Sequence, residues 1–175
     1  MMPLINAFRM DGLGNRFIII DRREKSINIP KEKIIHLGHL KSFHRNIEFD
    51  QMIFIEKEIN NTFPITIFNS DGGEVSACGN GSRCVAYLLS KDLNNKEIKL
   101  KTNNRLLKAK IVGDFDVQLE MGKPEFEWHK IPLREKLDHK NITLNIDGKE
   151  FTGGFSLNVG NPHIIFFVEI VLNMI

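Results

Sequence analysis

The chain has 175 residues, of which 42% are hydrophobic and 26% charged, so it is long enough to bury a core without disulfides or a metal. Its 24 basic and 22 acidic residues give a formal net charge of +2 and are interspersed, which argues against nucleic acid or an anionic membrane as a partner. Two cysteines and the absence of a signal-peptide pattern predict a reduced, cytoplasmic protein.

Short apolar runs separated by turn residues predict a strand-rich protein. In several runs apolar and polar residues alternate, as in Ile98, Leu100 and Thr102 against Lys99 and Lys101. This period of two predicts strands with one buried and one solvated face. In chain order, the predicted strands cover residues 17–20, 52–55, 65–68, 98–101, 106–112, 117–121, 142–146 and 155–159.

Two segments, residues 31–43 and 80–90, have apolar residues at helical spacing and predict helices. In the second segment Cys84 and Leu88 share the apolar face, which predicts that Cys84 is a buried core thiol rather than a reactive one. Strands and helices together predict an α+β fold.

Two dipeptides, Gly113-Asp114 and Asp147-Gly148, predict hairpin turns. The first also indicates a boundary near residue 116, which divides the chain into domains 1–116 and 117–175. Residues 164–175 are apolar at ten of twelve positions, yet they are fewer than the ~20 residues that span a bilayer. We expect this stretch to need a covering segment, which predicts that the chain is truncated.

The most informative sequence lies where the second helix begins, in the glycine-bracketed run Cys78-Gly79-Asn80-Gly81. A helix N-terminus concentrates unpaired N–H groups, which bind carboxylates and favour the thiolate of a nearby cysteine. A free cysteine is more often a buried, inert side chain, but this context favours a reactive Cys78.

Four other polar residues are weaker candidates. Residues 158–163, Asn-Val-Gly-Asn-Pro-His, predict a turn that presents Asn161 and His163, although a lone histidine is more often structural. Asn15 follows a glycine turn and Gln51 opens a strand, and either residue alone is more often a turn or capping residue. The glycine patterns lack the remaining features of nucleotide-binding motifs, and no His and Cys spacing predicts a metal site.

Three ordered motifs nevertheless resemble the diaminopimelate epimerase family. They are Gly12-Leu13-Gly14-Asn15-x-Phe17, Asn69-x-Asp71-Gly72-x-Glu74-x-x-x-Cys78-Gly79-Asn80-Gly81-x-Arg83-Cys84 and Gly160-Asn161-Pro162-His163. The resemblance runs from about Phe8 to about Phe167, and family members are roughly half as long again. It implies a fold of two pseudo-symmetric α+β domains, each a curled mixed or antiparallel sheet around a central helix, of which the second is incomplete here.

The resemblance also implies the chemistry, which is the interconversion of LL- and meso-2,6-diaminopimelate by two cysteine bases without a cofactor, in the biosynthesis of lysine and peptidoglycan precursors. Inversion needs one base on each face of the α-carbon. Cys78 would exchange the α-proton, and His163 would tune the cysteine pair. The implied substrate-binding residues are Asn15, Gln51, Asn69, Gly79, Asn80 and Asn161. A homodimer is a candidate assembly.

Two departures from the family pattern keep alternatives open. The chain ends before the region expected to supply the second catalytic cysteine, and Arg16 replaces an acidic residue common in the first motif. One alternative is therefore an inactive fragment, or one that needs a separately encoded C-terminal piece. Others are a proline-racemase-like or phenazine-biosynthesis-like isomerase, and a hydrolase in which Cys78 and His163 are nucleophile and base.

Overall fold

The structure is a computed structural model that describes residues 6–25, 27–39, 48–103 and 105–168. It divides into two compact units, Met1–Met121 and Gly122–Ile175. The division follows Met121 rather than residue 116, because the strand Asp116–Glu120 pairs with the strand before it, Leu106–Gly113, and therefore belongs to the first unit.

The first unit is a mixed sheet with two helices among its described residues. The strands are β1 (Ala7–Gly12), β2 (Asn15–Asp21), β3 (Gln51–Ile55), β4 (Phe63–Asn69), β5 (Glu74–Val75), β6 (Glu97–Lys101), β7 (Leu106–Gly113) and β8 (Asp116–Glu120). Their order in the sheet is β1-β2-β3-β4-β6-β7-β8, and the short β5 pairs with β4. The helices are α1 (Lys31–His39) and α2 (Gly79–Leu93).

Two strand pairs are parallel, and each is joined by a connection that contains a helix. β2 and β3 are linked through α1, whereas β4 and β6 are linked through β5 and α2. Parallel neighbours require such long crossovers, while the antiparallel pairs are joined by shorter turns. The second crossover delivers the start of α2 close to β2 and β3, and this placement determines where the candidate site forms.

The sheet curls around α2. The helix contacts the strands at both ends of the sheet, β1 and β8, as well as strands in the centre of the sheet. The buried face of the helix consists of Cys84, Val85, Ala86 and Leu89, in one cluster with Phe17, Ile19, Ile53, Ile55 and other strand residues. On the opposite side of β2 and β3, Ile34 of α1 packs with Ile20, Phe49, Met52 and Phe54. Both faces of these two strands are therefore covered, and both strands are nearly continuously apolar.

β6 and β7 show the alternation that the sequence predicts. Ile98, Leu100 and Thr102 are buried, whereas Lys99 and Lys101 are exposed. The predicted Gly113-Asp114 turn joins β7 to β8. These strands thus cover α2 with one face and present charged side chains on the other, as expected for antiparallel strands at the end of a sheet.

The second unit contains a three-stranded antiparallel sheet in the order β11-β10-β9 (β9, Ile142–Ile146; β10, Lys149–Asn158; β11, Pro162–Ile165). Asp147 and Gly148 both have positive φ, 52° and 77°, and form the predicted two-residue hairpin turn between β9 and β10. The predicted turn in residues 158–163 is also present, between β10 and β11.

All eight predicted strands and both predicted helices are present. Helix α1 ends at His39, and residues 40–43 of its predicted range lie outside the described residues, as do residues 169–175 of the apolar tail. Of the tail residues that are described, Phe167 is 94% exposed and Val168 42% exposed. Within the described ranges, no helix is long and apolar enough to cross a membrane.

Candidate active site

Cys78 is the N-cap residue of α2. Its backbone is extended, with φ −146° and ψ 109°, and its Sγ accepts a hydrogen bond from the backbone N–H of Gly81 at 3.4 Å. The carbonyl of Cys78 accepts the first intrahelical bond, from Ser82 N at 2.9 Å. A thiol that replaces the usual N-cap oxygen lies within the field of the helix N-terminus, so the predicted placement of Cys78 is confirmed.

Gly81 brings the start of α2 close to the sheet. A Cβ built on Gly81 would lie 2.5 Å from Cδ1 of Ile53 and 3.2 Å from Cε1 of Phe17. Phe17 and Ile53 lie two residues after Asn15 and Gln51, the first residues of β2 and β3. The missing side chain of Gly81 therefore allows Cys78 and the first helix amides to lie beside the strand ends that carry the predicted binding residues.

Two hydrogen-bonded groups of polar side chains lie at these strand ends. In the first, Asn80 Nδ2 donates to Asn15 Oδ1 at 2.9 Å, and Arg83 Nη2 donates to Asn80 Oδ1. In the second, Gln51 Nε2 donates to Asn69 Oδ1 at 3.0 Å across the β3–β4 pair, where the two residues are direct partners. The first unit thus brings the predicted binding residues Asn15 and Asn80 together, and likewise Gln51 and Asn69.

Gln51 also carries an unpaired acceptor. Its Oε1 is buried and has no hydrogen-bond partner among the described residues. A buried polar atom without a partner costs free energy, and such atoms in native proteins call for an explanation such as a ligand or water.

Asp50 links the segments that carry the proposed binding residues, a role that no local sequence pattern indicates. Its carboxylate accepts from Arg16 N at 2.7 Å, its own N–H donates to the Arg16 carbonyl at 2.9 Å, and its carbonyl accepts from Ser70 N at 3.0 Å. Arg16, Asp50 and Ser70 each neighbour a predicted ligand, namely Asn15, Gln51 or Asn69.

Arg16 has two acidic partners in the structure. Its Nη1 lies 3.1 Å from Glu48 Oε2, and its Nη2 lies 3.5 Å from Asp50 Oδ1. The side chain therefore reinforces the Asp50 link between the starts of β2 and β3. Its positive charge is paired with the carboxylates of Glu48 and Asp50.

Cys84 lies in the core, as predicted. It is 6% exposed, and burial raises the pKa of its thiol to about 11, from an ordinary value of 9.0. A thiol that stays protonated near neutral pH and lies within the apolar cluster is not suited to remove a proton from a substrate. Cys84 and Cys78 are both free thiols, and of the two only Cys78 lies at a helix terminus.

Asn161 and His163 lie in the second unit, in the turn before β11 and within that strand. His163 Nε2 lies 3.1 Å from Asn161 Oδ1, and both side chains are exposed. The turn is held by Gly160 N, which donates to Asn158 Oδ1 at 2.7 Å. The two residues are thus presented together, as the sequence predicts for this turn. Among the described residues, no cluster of three or more His, Cys, Asp or Glu side chains could hold a metal ion.

Solved structures identify the class of fold. A hydroxyproline epimerase from Agrobacterium vitis is similar to this chain with a TM-score of 0.58 and 14% identity, over 93% of this chain and 51% of that one. A probable proline racemase from Agrobacterium radiobacter gives a TM-score of 0.59 and 13% identity, over 93% and 52% of the two chains. The fold is therefore the α+β fold found in amino-acid epimerases and racemases.

Sequence comparison identifies the family within that class. The sequence model of diaminopimelate epimerase matches residues 7–127. A diaminopimelate epimerase from Pelagibacter ubique is 47% identical over 168 residues, which are 94% of this chain and 60% of the relative. The chain belongs to the diaminopimelate epimerase family, which confirms the resemblance drawn from the three motifs. It spans about 60% of the length of that relative.

Proposed function

We propose that this chain binds diaminopimelate and carries one of the two proton-transfer groups of a diaminopimelate epimerase, an amino-acid isomerase of lysine biosynthesis. The observation that supports this most strongly is the position of Cys78 at the N-terminus of α2, beside hydrogen-bonded amide side chains. Family membership indicates the proposed substrate, since the Pelagibacter relative carries the name diaminopimelate epimerase.

The arrangement suits an α-amino acid. Backbone N–H groups of Gly79 and Asn80 in the first turn of α2 favour a carboxylate, whose negative charge increases as the α-proton leaves. Gln51, Asn15 and Asn69 complete the proposed binding set. Amide side chains orient such a ligand without competing for its protons.

Cys78 is the proposed base and acid on one face of the α-carbon. A thiolate removes the proton and the resulting thiol returns a proton to the carbon, which needs no cofactor or metal. In this proposal Asn161 also binds substrate, and His163 tunes the catalytic thiols. Because both residues lie in the second unit, they would act only when that unit lies beside the substrate.

Inversion requires a second base, and the buried Cys84 does not provide one. We therefore propose that inversion depends on a second proton-transfer group other than Cys84. Two free thiols fit a cytoplasmic setting, and a homodimer is the proposed assembly. The 47% identity to a diaminopimelate epimerase, against 13–14% to the proline-type enzymes, favours diaminopimelate as the substrate.

Ligand protection of Cys78 tests the substrate. The purified chain is treated with iodoacetamide at pH 8, and modification of Cys78 is followed by mass spectrometry with increasing LL- or meso-diaminopimelate, L-lysine or L-proline. We expect the diaminopimelate isomers to slow the labelling of Cys78 in a saturable manner and proline to have no effect. Protection by proline alone, or by none of the four compounds in a folded sample, would contradict the proposed substrate.

A further inference from the structure

Arg83 is part of the hydrogen-bonded group at the start of α2, but the proposed reaction gives it no role. It lies three residues after Asn80, on the same face of the helix, and its Nη2 donates to Asn80 Oδ1. Asn80 Nδ2 in turn donates to Asn15 Oδ1 at 2.9 Å. The three side chains form a short chain of hydrogen bonds from a permanent positive charge to a proposed substrate ligand.

The direction of these two hydrogen bonds follows from the chemistry of the guanidinium group. A guanidinium has only donors, so the atom of Asn80 that faces Arg83 must be the oxygen. The Asn80 nitrogen then faces Asn15, and a nitrogen donor requires that Asn15 present its Oδ1. The Nδ2 of Asn15, with two N–H donors, therefore points away from Asn80.

We propose that Arg83 is a positioning residue that fixes the orientation of the Asn15 amide through Asn80. This inference rests on the proposed function, in which Asn15 binds diaminopimelate. Donors on Asn15 suit a carboxylate oxygen of the substrate, whereas a rotated amide would present its own oxygen and repel the carboxylate. The positive charge also polarises both amides in the same direction, which strengthens each bond in the chain.

Two conservative variants separate orientation from simple packing. Arg83→Lys keeps a cation that only donates, so it should keep the amide orientation. Arg83→Gln keeps a polar side chain of similar length but both donates and accepts, so it should no longer fix the orientation. Lys91→Gln is the matched control, because Lys91 is on the same helix and its ion pair with Asp114 is solvent-exposed, with side chains 62% and 76% exposed.

The readout is the concentration of LL-diaminopimelate that halves the rate of Cys78 labelling by iodoacetamide. We expect Arg83→Gln to raise this concentration by about tenfold, in line with the loss of one charge-assisted bond. Arg83→Lys should stay within about threefold of the unsubstituted chain, on the same reasoning. The labelling rate without ligand and the thermal melting curve should be similar in all variants.

An Asn15→Ala background shows whether Arg83 acts through Asn15. There, Arg83→Gln should weaken protection by less than about twofold, because the amide that it orients is gone. A full tenfold effect in that background, or no effect of Arg83→Gln in the unsubstituted chain, would overturn the positioning role. So would a loss in Arg83→Lys equal to that in Arg83→Gln. Absence of protection in the unsubstituted chain would instead overturn the proposed function, together with this inference.

Discussion

Replacing Gly81 with alanine should destabilise the first unit, because α2 lies very close to the sheet at this residue. The added Cβ would lie 2.5 Å from Cδ1 of Ile53 and 3.2 Å from Cε1 of Phe17, and both side chains are 0% exposed. Alanine gains about 1 kcal/mol over glycine in helix propensity, whereas overpacking a well-filled core costs roughly 1–3 kcal/mol. With no solvent-facing space for either neighbour, the cost should lie in the upper part of that range, roughly 2–3 kcal/mol, which leaves a net loss of about 1–2 kcal/mol.

The contact with Ile53 provides a specific rescue. Ile53→Val removes the clashing Cδ1 and by itself costs about 0.5–1.5 kcal/mol. Combined with Gly81→Ala it should relieve the clash, so the double variant should be about 1 kcal/mol more stable than the sum of the single losses predicts.

Urea denaturation followed by circular dichroism at 222 nm measures these changes, because α1 and α2 both lie in the first unit. Four proteins complete the cycle, namely the unsubstituted chain, the two single variants and the double variant. Gly81→Ala with unchanged or increased stability would refute the close approach of helix and sheet. Strict additivity would show that the strain does not lie at Ile53.

Four further predictions concern the labelling of the two thiols, the pKa of Cys84, the Asp50 link and the turn before β2. At pH 8 iodoacetamide should modify Cys78 and leave Cys84 largely unmodified until the protein unfolds, as mass spectrometry would show; equal labelling would contradict the burial of Cys84. Burial raises the pKa of Cys84 to about 11 in the folded chain. As pH rises, the Cys84 thiol therefore loses its proton at a lower pH in the unfolded chain than in the folded chain. The contribution of the buried Cys84 thiol to the free energy of unfolding is therefore fully present below about pH 9 and falls as pH rises through 11. Midpoints of urea denaturation measured between pH 8 and 11 would show this decrease. Asp50→Ala should cost about 2 kcal/mol and speed amide hydrogen exchange at Arg16, whereas Asp50→Asn, which keeps an acceptor, should cost less than about 1 kcal/mol; equal losses would contradict the Asp50 link. Gly14→Ala should cost about 1 kcal/mol in urea denaturation, because Gly14 has φ +86°, and an unchanged midpoint would contradict that turn.

Much of the fold follows from local pattern, and the missed strands show where the pattern fails. The eight predicted strands and two helices have clear apolar periodicity. β1 (Ala7–Gly12) contains Arg9 and Asp11 and is mostly exposed, so its sequence lacks a buried face. β11 is exposed at all four residues, and β5 has only two residues. These strands form because neighbouring strands offer free hydrogen-bonding edges, which a single segment of sequence does not reveal.

The sequence predicts those residues of the candidate site whose role depends on their position at the start of a helix or strand. Cys78 at a helix start, and Asn15 and Gln51 at strand starts, follow from neighbouring glycines and apolar runs. The link made by Asp50 depends on its contact with Arg16, 34 residues away in sequence. The link made by Arg83 passes through Asn80, which contacts Asn15 65 residues away. An ordinary aspartate or arginine at a helix or strand end gives no local signal of such a partner.

The central claim is that Cys78 moves the α-proton of diaminopimelate. The most direct test is to incubate the purified chain with LL-diaminopimelate in deuterated water, and to measure deuterium at the α-carbon and its configuration. A single base removes and returns a proton on the same face, so we predict deuterium incorporation with retained configuration, abolished by Cys78→Ala and preserved in Cys84→Ala. Exchange that survives Cys78→Ala, or no exchange from the folded chain, would contradict this claim.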